Sequence, residues 1–200
     1  MVEFLQGMFG ARAIEIAAVC LGLANIALLA RRNIWNYPFG IAMVTIYAGI
    51  FFREKLYSDA GLQVFFLIVQ AYGWWYWSRA RDDDGLVIVE RLQKGPASVY
   101  AAAAVISAGA LGYLMKTFTD AAFPFWDASI AVLSVVAQIM LARRRLENWL
   151  VWIAVDVLAI GLYLEKGLQP TAALYAIFLV MCVVGFANWR NAWRAGVATA

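Results

Sequence analysis

Long apolar stretches dominate this sequence and restrict the folds that are open to it. A helix that spans a bilayer needs about 20 mostly apolar residues, and seven stretches of the chain have that character. They cover residues 13–30, 35–52, 59–78, 97–116, 127–142, 148–165 and 170–189. Apolar residues make up 64% of the chain, against roughly half in an average soluble domain. The sequence therefore predicts an all-α integral membrane protein with seven transmembrane helices in a lipid bilayer.

The absence of histidine excludes several kinds of catalytic and metal-binding site. The chain has no histidine, so it cannot build a Ser-His-Asp site, a Cys-His site or a histidine metal site. Both cysteines, Cys20 and Cys182, lie inside apolar stretches, where a thiol behaves as a small hydrophobic group. A seven-helix retinal protein would need a Schiff-base lysine in its last span, and residues 170–189 contain none. We therefore expect no enzyme activity, no cofactor and no bound metal.

Positive charge is distributed unevenly between the two ends of the predicted spans. Of the 16 Lys and Arg residues, eleven flank one set of span ends and five flank the other. Cytoplasmic loops carry the excess of these residues, so the N-terminus is expected outside and the C-terminus in the cytoplasm. The basic residues form no single patch, which argues against a nucleic-acid partner.

Moving the sequence along itself by 112 residues aligns the first three spans with the last three. The matched residues are Arg31 and Arg32 with Arg143 and Arg144, Asn36 with Asn148, Tyr37 with Trp149, Gly73 with Gly185, and Trp77 with Trp189. This pattern predicts two three-helix repeats, 13–78 and 127–189, joined by a linker helix at 97–116. Because the single linker helix restores the direction of the chain, the two repeats must be parallel. SWEET-type sugar facilitators have this 3+1+3 arrangement, with the substrate site at mid-membrane between the repeats.

The sixth span carries the most informative polar groups. An ionisable side chain at membrane depth costs roughly 2.5–3.5 kcal/mol on insertion scales, so such groups usually face the interior of the bundle or water. Asp156 lies near the centre of this span, and Asn148, Trp152, Asp156 and Tyr163 share a stripe about 80° wide on a helical wheel. A carboxylate among aromatic rings suits an aromatic organic cation. The alternative is an interior acid that bonds a neighbouring helix and binds no ligand.

Amide side chains occupy similar positions in two other spans. In the third span Gln63, Gln70, Trp74 and Trp77 fall within about 60° of one another on a helical wheel, and Gln138 lies deep in the fifth span. An amide that faced acyl chains would be unsatisfied, so these side chains are expected to line an interior. Polar bonds between helices are the equally acceptable alternative.

Residues near the ends of the spans have simpler interpretations. The aromatic residues from Trp74 to Trp77, together with Trp189, predict a belt at the membrane interface. Asp127 at the start of the fifth span predicts a helix N-cap, a position that aspartate favours.

Several motifs in both halves resemble those of the Pnu family of vitamin transporters, and the resemblance covers residues 13–193. They are Asn36-Tyr37-Pro38-Phe39-Gly40, Ile50-Phe51-Phe52, Lys55-Leu56-Tyr57, Leu62-Gln63-Val64-Phe65-Phe66, Tyr72-Gly73-Trp74, Phe123-Pro124-Phe125-Trp126-Asp127 and Glu147-Asn148-Trp149-Leu150. The resemblance implies a SWEET-related fold and a homotrimer with one pathway in each protomer. It also implies facilitated diffusion of a vitamin, which a cytoplasmic kinase traps by phosphorylation. By resemblance, Trp149, Trp152 and polar residues of the third and sixth spans contribute to the substrate site.

The same resemblance directs the choice of substrate. The best-known branch of the family carries nicotinamide riboside, and others carry thiamine. In the riboside branch an asparagine is expected at Asp156, whereas an aspartate resembles the thiamine branch. Both vitamins carry a fixed positive charge, so the charge of Asp156 does not distinguish them. The first half of the chain and residues 123–127 are more similar to the riboside branch. We expect a passive transporter of nicotinamide riboside in the bacterial inner membrane, with alternating access around the site. The alternatives are a thiamine facilitator, a SWEET-like sugar carrier and a membrane subunit that transports nothing.

Overall fold

A computed structural model describes residues 2–53, 55, 57–82 and 84–198 of the chain. Seven α-helices and no strand longer than an isolated bridge lie within these residues. The helices are α1 (Val2–Ala30), α2 (Asn36–Arg53), α3 (Tyr57–Trp77), α4 (Lys94–Phe118), α5 (Pro124–Ala142), α6 (Asn148–Glu165) and α7 (Gln169–Ala198). The prediction of an all-α fold is confirmed. Helices suit this composition because they satisfy every backbone polar group within the segment, which a bilayer core requires.

Four of the described helices are long and apolar enough to cross a membrane by length and composition. They are Ala97–Phe118, Pro124–Ala142, Asn148–Glu165 and Gln169–Gly196, and a shorter apolar helix covers Ile16–Ala30. The predicted ends of α6 agree with the structure, whereas α7 continues past Trp189 to Ala198. Hydropathy marks where a helix leaves the apolar layer, and a helix can continue beyond that point.

The chain divides into two compact units, Met1–Val87 and Ile88–Ala200. In the first unit, α1 packs against α2 and α2 against α3. In the second unit, α4 packs against α5, α5 against α6 and α6 against α7. The helix predicted as a linker is therefore α4, and it belongs to the second unit.

In the first unit, the turn between α1 and α2 is built around Arg32. This residue has a φ of 59°, in the left-handed region. Its Nη1 donates hydrogen bonds to Asp82 Oδ2 and to the Val87 carbonyl, each at 3.1 Å, and its own carbonyl accepts one from Val87 N at 3.1 Å. Asn36 Nδ2 closes the turn with a bond of 2.7 Å to the Asn33 carbonyl.

In the second unit, Arg144 builds the same kind of turn between α5 and α6. Its φ is also 59°. Its guanidinium donates to the Ile88 carbonyl at 3.2 Å and pairs with the Glu90 carboxylate, and its carbonyl accepts a bond of 3.0 Å from Glu90 N. Asn148 Nδ2 donates to the Arg145 carbonyl at 2.6 Å. Each unit thus holds its arginine turn with one carbonyl, one carboxylate and one backbone N–H.

In each unit, an aromatic ring lies against a glycine of the following helix. In the first unit, the Tyr37 ring covers Gly73 and meets Trp77 edge to face, with ring centroids 5.0 Å apart. In the second unit, Trp149 covers Gly185 and meets Trp189 in the same way at 5.7 Å. These contacts recur at the spacing of 112 residues found in the sequence. The repeat itself stays a prediction, and the shared contacts are observations in its favour.

The prediction of an aromatic belt at the membrane interface is wrong for Trp77 and Trp189. Trp77 and Trp189 are each 0% exposed. Gly73 in α3 and Gly185 in α7 have no side chain and leave room for an aromatic ring of the neighbouring helix. Each tryptophan packs against that ring and is therefore buried inside its own unit. Trp74 and Trp75 are exposed, which is compatible with a belt.

A methyl group at either glycine should loosen its unit. A Cβ at Gly73 would lie 2.5 Å from Tyr37 Oη, and one at Gly185 would overlap the Trp149 ring. We expect Gly73→Ala and Gly185→Ala each to lower the free energy of unfolding by about 1–3 kcal/mol, the usual cost of overpacking. Gly49→Ala is the matched control, because no atom lies within 4 Å of that Cβ. Melting temperatures in detergent test this, and equal values for the three variants would contradict it.

Candidate functional site

Helix α6 concentrates buried polar atoms that have no partner. In the described part of the chain, Asn148 Oδ1, Trp149 Nε1 and Asp156 Oδ2 are buried and make no hydrogen bond. Buried polar atoms in native proteins are nearly always bonded to protein or water, so each exception requires an explanation. All three lie on one helix of the second unit, and together they provide two acceptors and one N–H donor.

Among these three groups, the Asp156 carboxylate has the highest free-energy cost of burial. Its side chain is 3% exposed. The thiol of Cys182 on α7 hydrogen-bonds the carboxylate, which leaves Oδ2 unmatched. The sequence of α6 contains no Lys or Arg that could neutralise the charge. A buried carboxylate in this state is unfavourable by itself, so a cationic or hydrogen-bond-donating ligand would relieve the cost.

Two residues at the start of α6 are held in fixed orientations. The bond from Asn148 Nδ2 to the Arg145 carbonyl orients the amide, so that Oδ1 remains as the free acceptor. Packing of the Trp149 ring over Gly185 fixes the direction of its indole N–H. Polar groups that are held in fixed orientations favour a ligand whose own polar groups match that geometry.

The other residues predicted on α6 differ in their surroundings. Trp152 lies one turn after Asn148 and one turn before Asp156, and its ring is half-buried. Tyr163 is also half-buried and stacks on Tyr175 of α7, with ring centroids 5.3 Å apart. We define the candidate α6 site, called the α6 site below, as Asn148, Trp149, Trp152 and Asp156.

The first unit has a polar group of its own. Asn25 of α1 and Gln70 of α3 meet over Gly40 of α2, where a Cβ would lie 2.6 Å from Asn25 Nδ2 and would overlap Gln70 Oε1. Asn25 Nδ2 also donates to the Asn36 carbonyl at 2.7 Å. Sequence reasoning missed Asn25, although an asparagine inside the apolar stretch 13–30 was the signal that could have identified it.

For the remaining predicted site residues, the observation that bears on their role is their burial. Gln138 on α5 is buried, and Gln63 on α3 is half-buried. Trp74 is 41% exposed. Their roles at a substrate site stay predictions.

The N-cap predicted for Asp127 is wrong. The capping position of α5 is Phe123, and Pro124 begins the helix. Proline suits the first helical position because its φ is already helical and that position needs no N–H donor. Asp127 therefore lies within the first turn, where its carboxylate pairs with Lys166 Nζ at 3.0 and 3.2 Å.

Comparison with known proteins identifies the family. The family model described as nicotinamide mononucleotide transporter matches residues 12–191. The chain belongs to this family. Membership makes it a membrane transporter and not an enzyme, and it confirms the family resemblance read from the sequence motifs.

Three known proteins that are similar to this chain are named as transporters of vitamins. The nicotinamide riboside transporter PnuC of Escherichia coli K12 is 32% identical, over 90% of this chain and 86% of its own. The riboflavin/roseoflavin transporter RibM of Streptomyces davaonensis is 30% identical, over 84% of this chain and 80% of its own. A crystal structure of the vitamin B3 transporter PnuC superposes with a TM-score of 0.74 and 24% identity, covering 97% of this chain and 88% of that one. The structural match shows that this chain has the PnuC fold.

The stability of an Asp156 variant tests whether this carboxylate is a ligand contact or a structural contact. If the carboxylate served only packing, its removal would destabilise the second unit. We expect Asp156→Asn, which removes the charge at constant shape, to leave the melting temperature in detergent unchanged or higher. Side chains that serve ligand binding commonly lower the stability of the ligand-free protein.

Asn148→Ala is the contrasting variant, because it removes the bond that closes the turn before α6. We expect it to lower the free energy of unfolding by about 1 kcal/mol. A large loss of stability in Asp156→Asn would assign that carboxylate to packing.

Proposed function

We propose that this protein carries nicotinamide riboside across the bacterial inner membrane by facilitated diffusion. The observation that carries the proposal is the buried Asp156 carboxylate with one oxygen unpartnered. The pyridinium ring of the riboside has a fixed positive charge, and its hydroxyl and carboxamide groups can bond the free atoms of Asn148 and Trp149. The relative PnuC, named for transport of nicotinamide riboside, supports this choice.

The charge of α6 favours the riboside over the mononucleotide. A phosphate group would meet the Asp156 carboxylate on a helix whose sequence offers no Lys or Arg. Two negative groups at low dielectric repel each other strongly. The riboside lacks the phosphate and keeps the cation, so it complements the α6 site.

Riboflavin is a second candidate, because the relative RibM is named for it. Its isoalloxazine ring carries no fixed positive charge and therefore gains less from the carboxylate. Thiamine is cationic, so Asp156 accommodates it as well as the riboside. Competition between these vitamins for transport distinguishes the three.

The proposal includes the setting in which transport occurs. The protein works as a homotrimer, with one pathway in each protomer, and alternates access around its site. Its N-terminus lies outside and its C-terminus in the cytoplasm, in keeping with eleven of the 16 basic residues at one set of span ends. The two predicted repeats, 13–78 and 127–189, form the moving halves. A cytoplasmic kinase traps the vitamin, which makes ion coupling unnecessary.

Uptake into liposomes that contain the purified protein tests the proposal. With no ion gradient, labelled nicotinamide riboside should enter until its concentrations inside and outside are equal. Asp156→Asn should lower the initial rate by at least about tenfold, the equivalent of one lost charge-assisted interaction. Asp127→Asn, which removes the carboxylate in the first turn of α5 that pairs with Lys166, should keep the wild-type rate.

Unlabelled thiamine and riboflavin, added in excess, complete the assay. Inhibition by neither vitamin supports the riboside as the specific substrate. Riboside uptake that is absent in wild-type liposomes, or that is equal in the two aspartate variants, would overturn the proposal. Uptake of riboflavin in its place would assign the second candidate.

A further inference from the structure

A basic cavity of about 180 Å³ lies at one end of the second unit, apart from the α6 site. Three arginines line it: Arg91 from the segment before α4, and Arg190 and Arg194, one turn apart on α7. Trp193 lies between the two α7 arginines in sequence, and the Arg91 guanidinium lies 5.1 Å from the centroid of its ring. Its α7 lining runs from Phe186 to Arg194 and so extends past Trp189, where the predicted apolar span ends.

The charges of this cavity do not cancel. Its one carboxylate, Glu147, accepts a bond of 3.0 Å from Arg91 Nε at Oε1 and one of 2.8 Å from Leu92 N at Oε2. Both carboxylate oxygens are therefore engaged, and Arg91 is neutralised. In the part of the chain that the structure describes, Arg190 and Arg194 have no carboxylate partner. Two positive charges at the cavity remain uncompensated.

The rest of the cavity lining is an apolar wall. Leu146, Leu150 and Phe186 form this wall, and Leu150 is exposed. A cavity lined by both guanidinium groups and apolar side chains fits an anion that is attached to a hydrophobic body. Guanidinium groups bind phosphate oxygens in bidentate geometry, and basic pockets between transmembrane helices bind lipid head groups.

We propose that Arg190 and Arg194, with Trp193 and the apolar wall, form a binding site for a phosphate-bearing anion at the membrane interface. Two sources share this chemistry: the head group of an anionic phospholipid and a free phosphomonoester. The apolar wall favours the phospholipid. The site is separate from the α6 site and does not depend on which vitamin is carried.

Thermal unfolding of the full chain in detergent, with a defined additive, tests the site. Phosphatidylglycerol should raise the melting temperature, and phosphatidylcholine, which has no net charge, should not. The double variant Arg190→Gln/Arg194→Gln should weaken the apparent affinity for phosphatidylglycerol by at least about tenfold, as expected when charge-assisted bonds are lost. Both arginines are exposed, so their replacement removes no buried contact.

The matched control is Arg31→Gln/Arg81→Gln, which removes the same charge from two other exposed arginines at the same set of span ends. It should keep the wild-type response to phosphatidylglycerol. Native mass spectrometry gives a second readout, in which wild-type protein and the control retain bound lipid and the Arg190/Arg194 variant does not.

The remaining arms identify the source of the anion. A rise in melting temperature with inorganic phosphate or nicotinamide mononucleotide, lost in the Arg190/Arg194 variant and absent with lipid, assigns the site to a soluble phosphomonoester. A response to lipid alone assigns it to the head group. An equal response in the two double variants, or no response to any phosphate, would overturn the proposal.

Discussion

At the depth of a bilayer no water is present to satisfy polar groups, and this constraint shapes the whole molecule. The backbone meets it by forming helices. At the ends of the helices, where the chain turns, side chains bond the backbone groups that the helices leave unpaired. Arg32 and Arg144 fill two such turns, and Asn36 and Asn148 close them. Against this background, an unmatched carboxylate oxygen in the interior of a unit is an exception, and the binding of a cationic substrate is the explanation that we propose.

The two units share their framework but differ in the polar groups that they bury. The arginine turns and the aromatic rings over glycine recur at the same spacing. At the position of Val44 in the first unit, the second has Asp156, and at the position of Gln70 it has Cys182. The first unit gathers amides over Gly40, whereas the second places a carboxylate against a thiol.

Apolar stretches of the sequence were sufficient to predict the seven helices that the described residues form and their order, although only four of these helices are long and apolar enough to cross a membrane by length and composition. Where helices begin and end depends on local chemistry that hydropathy does not record, as Pro124 at the start of α5 shows. The sequence pattern also did not predict which individual aromatic residues are buried. Trp77 and Trp189 resemble interfacial residues by position, and only their contacts with Tyr37 and Trp149 place them inside. Asp156 could be identified from sequence because a carboxylate is rare at that depth, whereas its unpaired oxygen required the structure.

A structure of the protein with nicotinamide riboside bound would test the central claim most directly. The account predicts that the riboside lies against α6, with its pyridinium ring or a hydroxyl group in direct contact with Asp156 Oδ2. It also predicts that Asn148 Oδ1 and Trp149 Nε1 gain partners from the ligand or from water that the ligand orders. A riboside bound elsewhere, with Asp156 still bonded only to Cys182, would contradict the account.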